Sequence, residues 1–200
     1  MKILSRYLIV EKVKALLLLI FSLSIAACSE DTDYKLTNDA SSVYFATIKK
    51  EYVVEPAYFK KVNGSLDKTG NLVIDIDLNS VTTGIPIRDQ RLGKLFFITA
   101  THPLVSIKTK LNMLEIKEIK GSKRKNIDVD ITLNGQTKKV SIDTIIRYLD
   151  GKVLASTAKP IIIKADDYGI PAKNLTALAK TVGGIPISTI VPVSFDVIFE

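Results

Sequence analysis

Apolar and polar residues alternate with a period of two along much of the chain. The clearest segments are 72–80 (LVIDIDLNS), 104–111 (LVSIKTKL), 126–135 (NIDVDITLNG) and 192–200 (PVSFDVIFE). Successive side chains of a strand point to opposite faces, so each segment has one apolar and one polar face. This pattern is typical of an antiparallel sheet that buries one side. The predicted inward residues are Ile74, Ile76, Leu78, Val105, Ile107, Val129, Ile131, Phe195 and Val197.

Turn signals separate these segments at short spacing. They are NGS, KTGN, KGSKRKN, LNGQT and LDGK, and many short strands joined in this way indicate an all-β sandwich or barrel. Asn134-Gly135 predicts the tight turn of a hairpin. Two stretches depart from the pattern. IRDQRLGKLFF fits one short turn of helix. PAKNLTALAKTVGG fits a helix that Pro171 opens and two glycines end, with Leu175, Leu178 and Val182 as an apolar stripe.

The amino-terminal segment predicts an export signal. Basic residues in MKILSRYLIVEKVK precede the apolar run ALLLLIFSLSIAA, which is too short to span a bilayer comfortably. The run ends in IAAC, which looks like a bacterial lipobox with Cys28 as the lipidated residue; an ordinary signal peptide followed by a free Cys is the alternative. We expect a signal peptide over 1–27, a lipidated tether over 28–40 and one domain over 41–200. Such a lipoprotein would face the periplasm of a bacterial cell envelope, and Ser29 favours the outer membrane.

Charge and composition argue against a nucleic-acid partner. The formal net charge is +7, and the predicted signal carries four cations and one Glu, which leaves a mildly basic +4. Hydrophobic residues make up 46% of the chain, enough for one domain with a core. The expected partners are the membrane, through Cys28, and a hydrophobic ligand, while a homodimer stays open.

Candidate catalytic groups are few. His102 is the only His and Cys28 the only Cys, so a His- or Cys-rich metal site cannot form. If a strand continues through Asp166 and Asp167, the two point to opposite faces and make a poor acid–base pair. If they lie in a turn, we expect them to bond to backbone amides. We therefore predict a protein that is not an enzyme and uses no metal or cofactor, with a hydrolase as the least favoured hypothesis. The long apolar inner face suits either a ligand cavity or a filled core.

Four segments, VIDIDLNSVTTGIPIRDQRLGKLFF, THPLVSIKT, ITLNGQTKKVSI and ADDYGI, follow one another in this order. Together they resemble the YceI-like family of polyisoprenoid-binding periplasmic proteins, over roughly residues 41–200. The residues that carry the resemblance are Ser80, Thr83-Gly84, Arg88-Asp89, Leu92, Phe96-Phe97, Pro103, the ITLNGQTKKV hairpin and Asp167-Tyr168-Gly169-Ile170. Two positions depart from the family pattern: Arg91 stands where His is frequent, and Lys164 lies near a place usually held by Arg.

The strand pattern suits a closed antiparallel barrel of about eight strands with one or two short helices, and the resemblance implies that this barrel is lipocalin-like. The resemblance also implies that the lumen binds, sequesters or carries a polyisoprenoid, a quinone or a fatty-acid-like amphiphile. The head group would lie at the open end, where Arg88, Asp89 and Arg91 are rim candidates; Arg88 and Asp89 could instead pair and pin the loop. The lumen contacts would be the inward residues named above together with Leu92, Phe96 and Phe97. The alternative is a packed barrel without ligand that serves envelope interaction or assembly.

Overall fold

The alternating segments form strands of one antiparallel sheet. The computed structural model of the protein describes residues 33–200, and within them the sheet has twelve strands. They are β1 (Tyr34–Lys35), β2 (Ser42–Lys49), β3 (Val53–Phe59), β4 (Val62–Leu66), β5 (Asn71–Asp77), β6 (Val81–Thr82), β7 (Leu104–Lys110), β8 (Lys123–Leu133), β9 (Gln136–Leu149), β10 (Lys152–Thr157), β11 (Ile161–Lys164) and β12 (Ile190–Phe199). Neighbours pair in the order β1-β4-β5-β7-β8-β9-β10-β12-β2-β3-β6, and β11 pairs with β12.

Short helices interrupt the strands. Their bounds are α1 (Pro86–Arg91), a π-helical segment (Leu92–Phe97), α2 (Met113–Lys117), α3 (Ala172–Lys180) and 3-10 turns at Asn38–Ala40, Leu78–Ser80 and Ala165–Tyr168. Pro86 occupies the first turn of α1, where its missing N–H leaves no bond unmade. The helix expected as one short turn is longer, because α1 runs directly into the π-helical segment. α2 escaped prediction because its five residues are too few to show a helical period.

The sheet curls back on itself, because one stretch of chain lies near both ends of the strand order. β3 pairs with β2 and β4 pairs with β5, yet only Lys60 and Lys61 separate β3 from β4. β1 adds a second connection. It pairs with β4, and the next residue, Leu36, bridges Phe199 at the end of β12. The apolar faces of the strands therefore meet inside the curl.

Two expectations about the strands are wrong. The sheet has twelve strands instead of about eight, because the chain bends between β3 and β4 and because β1, β6 and β11 are too short to show alternation. The sheet also begins within the stretch 28–40 that was expected to be a tether, since Tyr34 is buried and its strand pairs with β4. The predicted signal peptide over 1–27 and Cys28 lie outside the described residues.

Leu78, predicted as the last inward residue of a strand, lies in a 3-10 turn. The Asp77 carboxylate accepts the backbone N–H of Asn79 at 2.9 Å, and the Ser80 hydroxyl donates to the Asp77 carbonyl at 2.6 Å. Short polar side chains that bond to nearby backbone compete with the ladder of a sheet. The strand therefore ends at Asp77, although Leu78 still points inward and is 1% exposed.

Aromatic rings connect the sheet to the π-helical segment. The Phe45 and Phe59 rings stack with centroids 5.3 Å apart, and Phe59 lies 6.5 Å from Phe97. Phe97 also meets Phe96 edge-on at 5.0 Å. These contacts seat the π-helical segment on β2 and β3. No helix within residues 33–200 is long and apolar enough to cross a membrane.

Candidate functional site

The curled sheet surrounds an apolar cavity of about 490 Å³. Its wall is built from the inward faces of the strands, which are apolar because the alternation keeps polar side chains on the outer face. Every apolar residue predicted as a lumen contact lies on this wall: Ile74, Ile76, Leu78, Leu92, Phe96, Phe97, Val105, Ile107, Val129, Ile131, Phe195 and Val197. The volume falls in the range of small-molecule sites, about 300–1,000 Å³. The role of these twelve wall residues as ligand contacts stays a prediction.

The helices contribute the rest of the wall. Leu175 and Leu178 of α3, together with Val182 just beyond it, face the cavity, as do Phe96 and Phe97. The stripe predicted on PAKNLTALAKTVGG is therefore the face of α3 that turns inward. The Asn174 amide donates to the Phe96 carbonyl at 3.0 Å, which holds α3 against the π-helical segment.

The loop before α1 is fastened by Asp89. Its carboxylate accepts both the backbone N–H of Thr83, at 2.9 Å, and the Thr83 hydroxyl, at 2.6 Å. The intervening Gly84 has φ of 77°, a left-handed conformation that glycine adopts without strain. Asp89 therefore holds the loop that presents α1 to the cavity, and its own side chain does not lie on the cavity wall.

Four charged side chains from residues 33–200 lie on the cavity wall: Lys49, Glu55, Arg88 and Arg91. They gather at one end, where β2 finishes, β3 begins and α1 passes. Glu55 bridges two of the cations, with Lys49 Nζ 2.6 Å from Oε1 and Arg88 Nη1 2.9 Å from Oε2. Hydrogen bonds from Lys49 and then Arg88 hold the pKa of Glu55 below its usual value. Three cations and one carboxylate leave this end, the mouth, with a net charge of +2.

Arg91 joins α1 to the segment after α3. Its Nη1 donates to the Thr181 carbonyl across 3.4 Å, a long bond that leaves other guanidinium N–H groups available. Arg88 and Arg91 thus lie on the mouth, where the rim was predicted. The alternative that Arg88 pairs with Asp89 is wrong, because Arg88 pairs with Glu55 while Asp89 bonds to Thr83. A head-group contact of Arg88 or Arg91 stays a prediction.

Comparison with known proteins identifies the fold family. The profile of the YceI-like domain matches residues 34–199. The chain belongs to the YceI-like family. A polyisoprenoid binding domain from Saccharophagus degradans, implicated in plant cell wall breakdown, is similar to it at 26% identity with a TM-score of 0.79, over 84% of this chain and 97% of that one.

A second, less similar solved structure shares the fold. BcnA of Burkholderia cenocepacia is 15% identical with a TM-score of 0.59, over 82% of this chain and 98% of that one. No curated protein sequence matches the chain. The fold of the YceI-like family is thus kept at low identity, as expected when alternation and turn positions determine it more than particular core side chains.

Sequence reasoning missed Lys49 and Glu55. Both lie on the inward side of the β2–β3 hairpin. The inward residues of β2 are apolar at Val43 and Phe45 and become polar at Thr47, which pairs with Glu55 of β3. This change from apolar to polar on one face of a strand was the available signal, because it marks the point where the strand leaves the apolar interior. Nothing local in the sequence pairs Glu55 with Arg88, which is 33 residues away.

The groups considered for catalysis lie elsewhere in the YceI-like domain. The His102 ring packs beside Gly135 in the β8–β9 turn, and Asp166 and Asp167 belong to the 3-10 turn Ala165–Tyr168. None of the three lies on the cavity wall. Between residues 33 and 200, no group of three or more His, Cys, Asp and Glu side chains is placed to hold a metal ion.

Proposed function

We propose that the protein binds a long hydrophobic ligand in the cavity of a lipocalin-like barrel, and so sequesters or carries it. A polyisoprenoid, a quinone or a fatty-acid-like amphiphile has the required shape. The observation that carries the proposal is the distribution of charge on the wall: the interior is apolar, and every charged lining residue of the described chain lies at the mouth. The polyisoprenoid binding domain of Saccharophagus degradans, at 26% identity, supports the same ligand class.

The physics of such binding divides between the two ends of the ligand. Each methylene moved from water to the apolar wall contributes about 0.8 kcal/mol. An anionic head group would remain at the mouth, where Arg88 and Arg91 can offer paired N–H donors to a carboxylate or phosphate. Specificity for the apolar chain of the ligand would then be low and specificity for its head group higher, because only the mouth supplies directional bonds.

The alternative of a packed barrel without ligand is less well supported. A filled interior has few voids larger than a water molecule, whereas the present cavity measures about 490 Å³. The role we propose is a binding one, without a chemical step. The groups considered for catalysis lie away from the cavity, which is consistent with that role.

Extraction of lipids from the purified protein, followed by mass spectrometry, tests the proposal directly. We expect a stoichiometric amphiphile with a long apolar chain, or uptake of an added polyprenol or fatty acid if the site is empty after purification. Protein that carries no lipid and takes up neither probe would contradict ligand binding and favour the packed alternative.

We also propose that the mature protein is a lipoprotein of the bacterial envelope, anchored through Cys28 and facing the periplasm, with Ser29 favouring the outer membrane. The support is the order of basic residues, apolar run and IAAC in the sequence. In cells, we expect Cys28→Ala to abolish incorporation of a labelled fatty acid and to release the protein from the membrane fraction. Labelling that persists in Cys28→Ala would contradict this anchor.

A further inference from the structure

We propose that the mouth of the cavity docks on an anionic phospholipid surface, so that the cavity opens onto the membrane. This goes beyond ligand binding and concerns the outer surface around the opening. The apolar rim, as we define it, consists of Tyr52, Val53, Ile85, Ile87 and Val182. All five are exposed large apolar side chains, and Tyr52 is 84% exposed.

The rim comes from three segments that the structure holds together. Tyr52 and Val53 lie at the β2–β3 hairpin, Ile85 and Ile87 at the start of α1, and Val182 just after α3. The Arg88–Glu55 pair joins α1 to β3 at 2.9 Å. The Arg91–Thr181 bond joins α1 to the end of α3. The backbone N–H of Lys50 donates to the Pro186 carbonyl at 2.8 Å, which joins the hairpin to the third segment.

The rim is continuous with the interior of the cavity. Ile85, Ile87 and Val182 are exposed to solvent and also line the cavity, so an apolar surface runs from the interior out to the hairpin tip. A ligand with a long apolar chain would meet water if it crossed this opening in solution. It would avoid water if the rim lay in the boundary between head groups and acyl chains.

Charge complementarity selects an anionic bilayer as the occupant. The mouth carries a net charge of +2, and exposed Lys50 and Lys180 lie on the same side, at the hairpin tip and at the end of α3. Of the carboxylates nearby, Glu55 is bridged by two cations and Asp89 bonds to Thr83, while Glu51 is exposed. Cations interleaved with aromatic and aliphatic side chains are typical of surfaces that bind the interface of anionic membranes.

The absence of Trp from the sequence allows a site-specific reporter. In the full chain, Tyr52→Trp places a fluorophore on the rim without altering the cavity wall. Leu114→Trp is the matched control, because Leu114 is 78% exposed on α2. α2 follows Lys110, whose partner Asn71 begins β5, so it lies at the end of the sheet away from the mouth. Each reporter senses its own surroundings, so a membrane contact confined to the segment before residue 33 would not by itself distinguish Tyr52→Trp from Leu114→Trp.

With vesicles of equal parts phosphatidylglycerol and phosphatidylcholine, we expect Tyr52→Trp emission to shift to the blue and to be quenched by brominated lipids. Pure phosphatidylcholine should give a weaker effect, and Leu114→Trp neither. Adding Lys50→Glu and Lys180→Glu should reduce partition onto the anionic vesicles by about tenfold or more. Lys110→Glu with Lys120→Glu, at the far end, should change it little.

Three results would overturn the proposal. They are no quenching of Tyr52→Trp, equal quenching of both reporters, and a blue shift without vesicles that grows with protein concentration. The last would assign the rim to contact between two copies of the chain. Lipid content measured on the same preparations distinguishes a failure of membrane docking from a failure of ligand binding, since docking requires no ligand in the cavity.

Discussion

Ile131→Phe tests whether the interior of this YceI-like domain is hollow. Ile131 lies two residues before the end of β8, is 6% exposed and faces the cavity. A phenyl ring at this position would extend into the cavity. In a filled core the same change typically costs about 1–3 kcal/mol, because neighbours must shift. In a cavity of about 490 Å³ the ring finds space, and we expect the free energy of unfolding to stay within about 1 kcal/mol of the parent value.

The ligand, in contrast, should bind more weakly. The ring takes the place of roughly two or three methylenes of the bound chain, each worth about 0.8 kcal/mol. The loss is about 2 kcal/mol, or roughly a 30-fold increase in Kd. Urea unfolding gives the stability, and titration with a fluorescent fatty acid or a polyprenol gives the affinity.

Ile162→Phe is the matched control. Ile162 lies on β11 between Ile161 and Ile163, which line the cavity, and is itself 57% exposed on the outer face. We expect its affinity and stability to match the parent protein. A loss of about 1–3 kcal/mol in the stability of Ile131→Phe, together with the same ligand affinity as Ile162→Phe, would indicate a packed interior and refute the reasoning.

Three further predictions concern the mouth, α2 at the end of the sheet away from the mouth, and α3. Arg88→Ala should weaken binding of a fatty acid by about tenfold but leave the affinity for the matching alcohol unchanged. The free energy of unfolding should stay within about 1 kcal/mol of the parent value, since the Arg88–Glu55 pair is partly exposed. An equal loss of affinity for both ligands would contradict a head-group role. Hydrogen bonds from Lys125 and Lys123 lower the pKa of Glu115 from 4.5 to about 2. The ionised Glu115 therefore stabilises the folded state fully above about pH 4.5, and this stabilisation is lost as the pH falls towards 2. Acid unfolding of Glu115→Gln should lack that contribution, and a curve identical to the parent's would contradict it. Leu178→Ala should lower the free energy of unfolding by about 2–3 kcal/mol in a denaturant titration, since Leu178 is 7% exposed but faces the cavity on one side; a change below about 0.5 kcal/mol would show that α3 packs loosely.

Much of the wall was predictable because alternation is a local property. Ile74, Ile76, Val129 and Ile131 each follow the period of a strand, and a strand with one buried face cannot slip by one residue without exposing its whole apolar set. Leu78 was assigned to the correct face for the wrong reason. It points inward from a 3-10 turn, which the Asp77 and Ser80 side chains form after the strand ends.

The mouth was only partly predictable. The order of Thr83-Gly84 and Arg88-Asp89 indicated a rim, but adjacency in sequence suggested an Arg88–Asp89 pair. In α1, the two side chains point in different directions, since neighbours on a helix do not share a face. Arg88 therefore reaches Glu55 while Asp89 turns back to Thr83.

By itself, the sequence determined the antiparallel all-β class, the inward face of each long strand, the apolar face of α3 and the YceI-like pattern. The first three depend on residues within a few positions of one another, and the YceI-like pattern depends on the order of short segments along the chain. Only the tertiary structure showed that the sheet surrounds a cavity of about 490 Å³, because the same alternation is compatible with a filled core and with a hollow one. It also decided which charges meet at the mouth, since Lys49, Glu55, Arg88 and Arg91 come together through the curl of the sheet and the placement of α1.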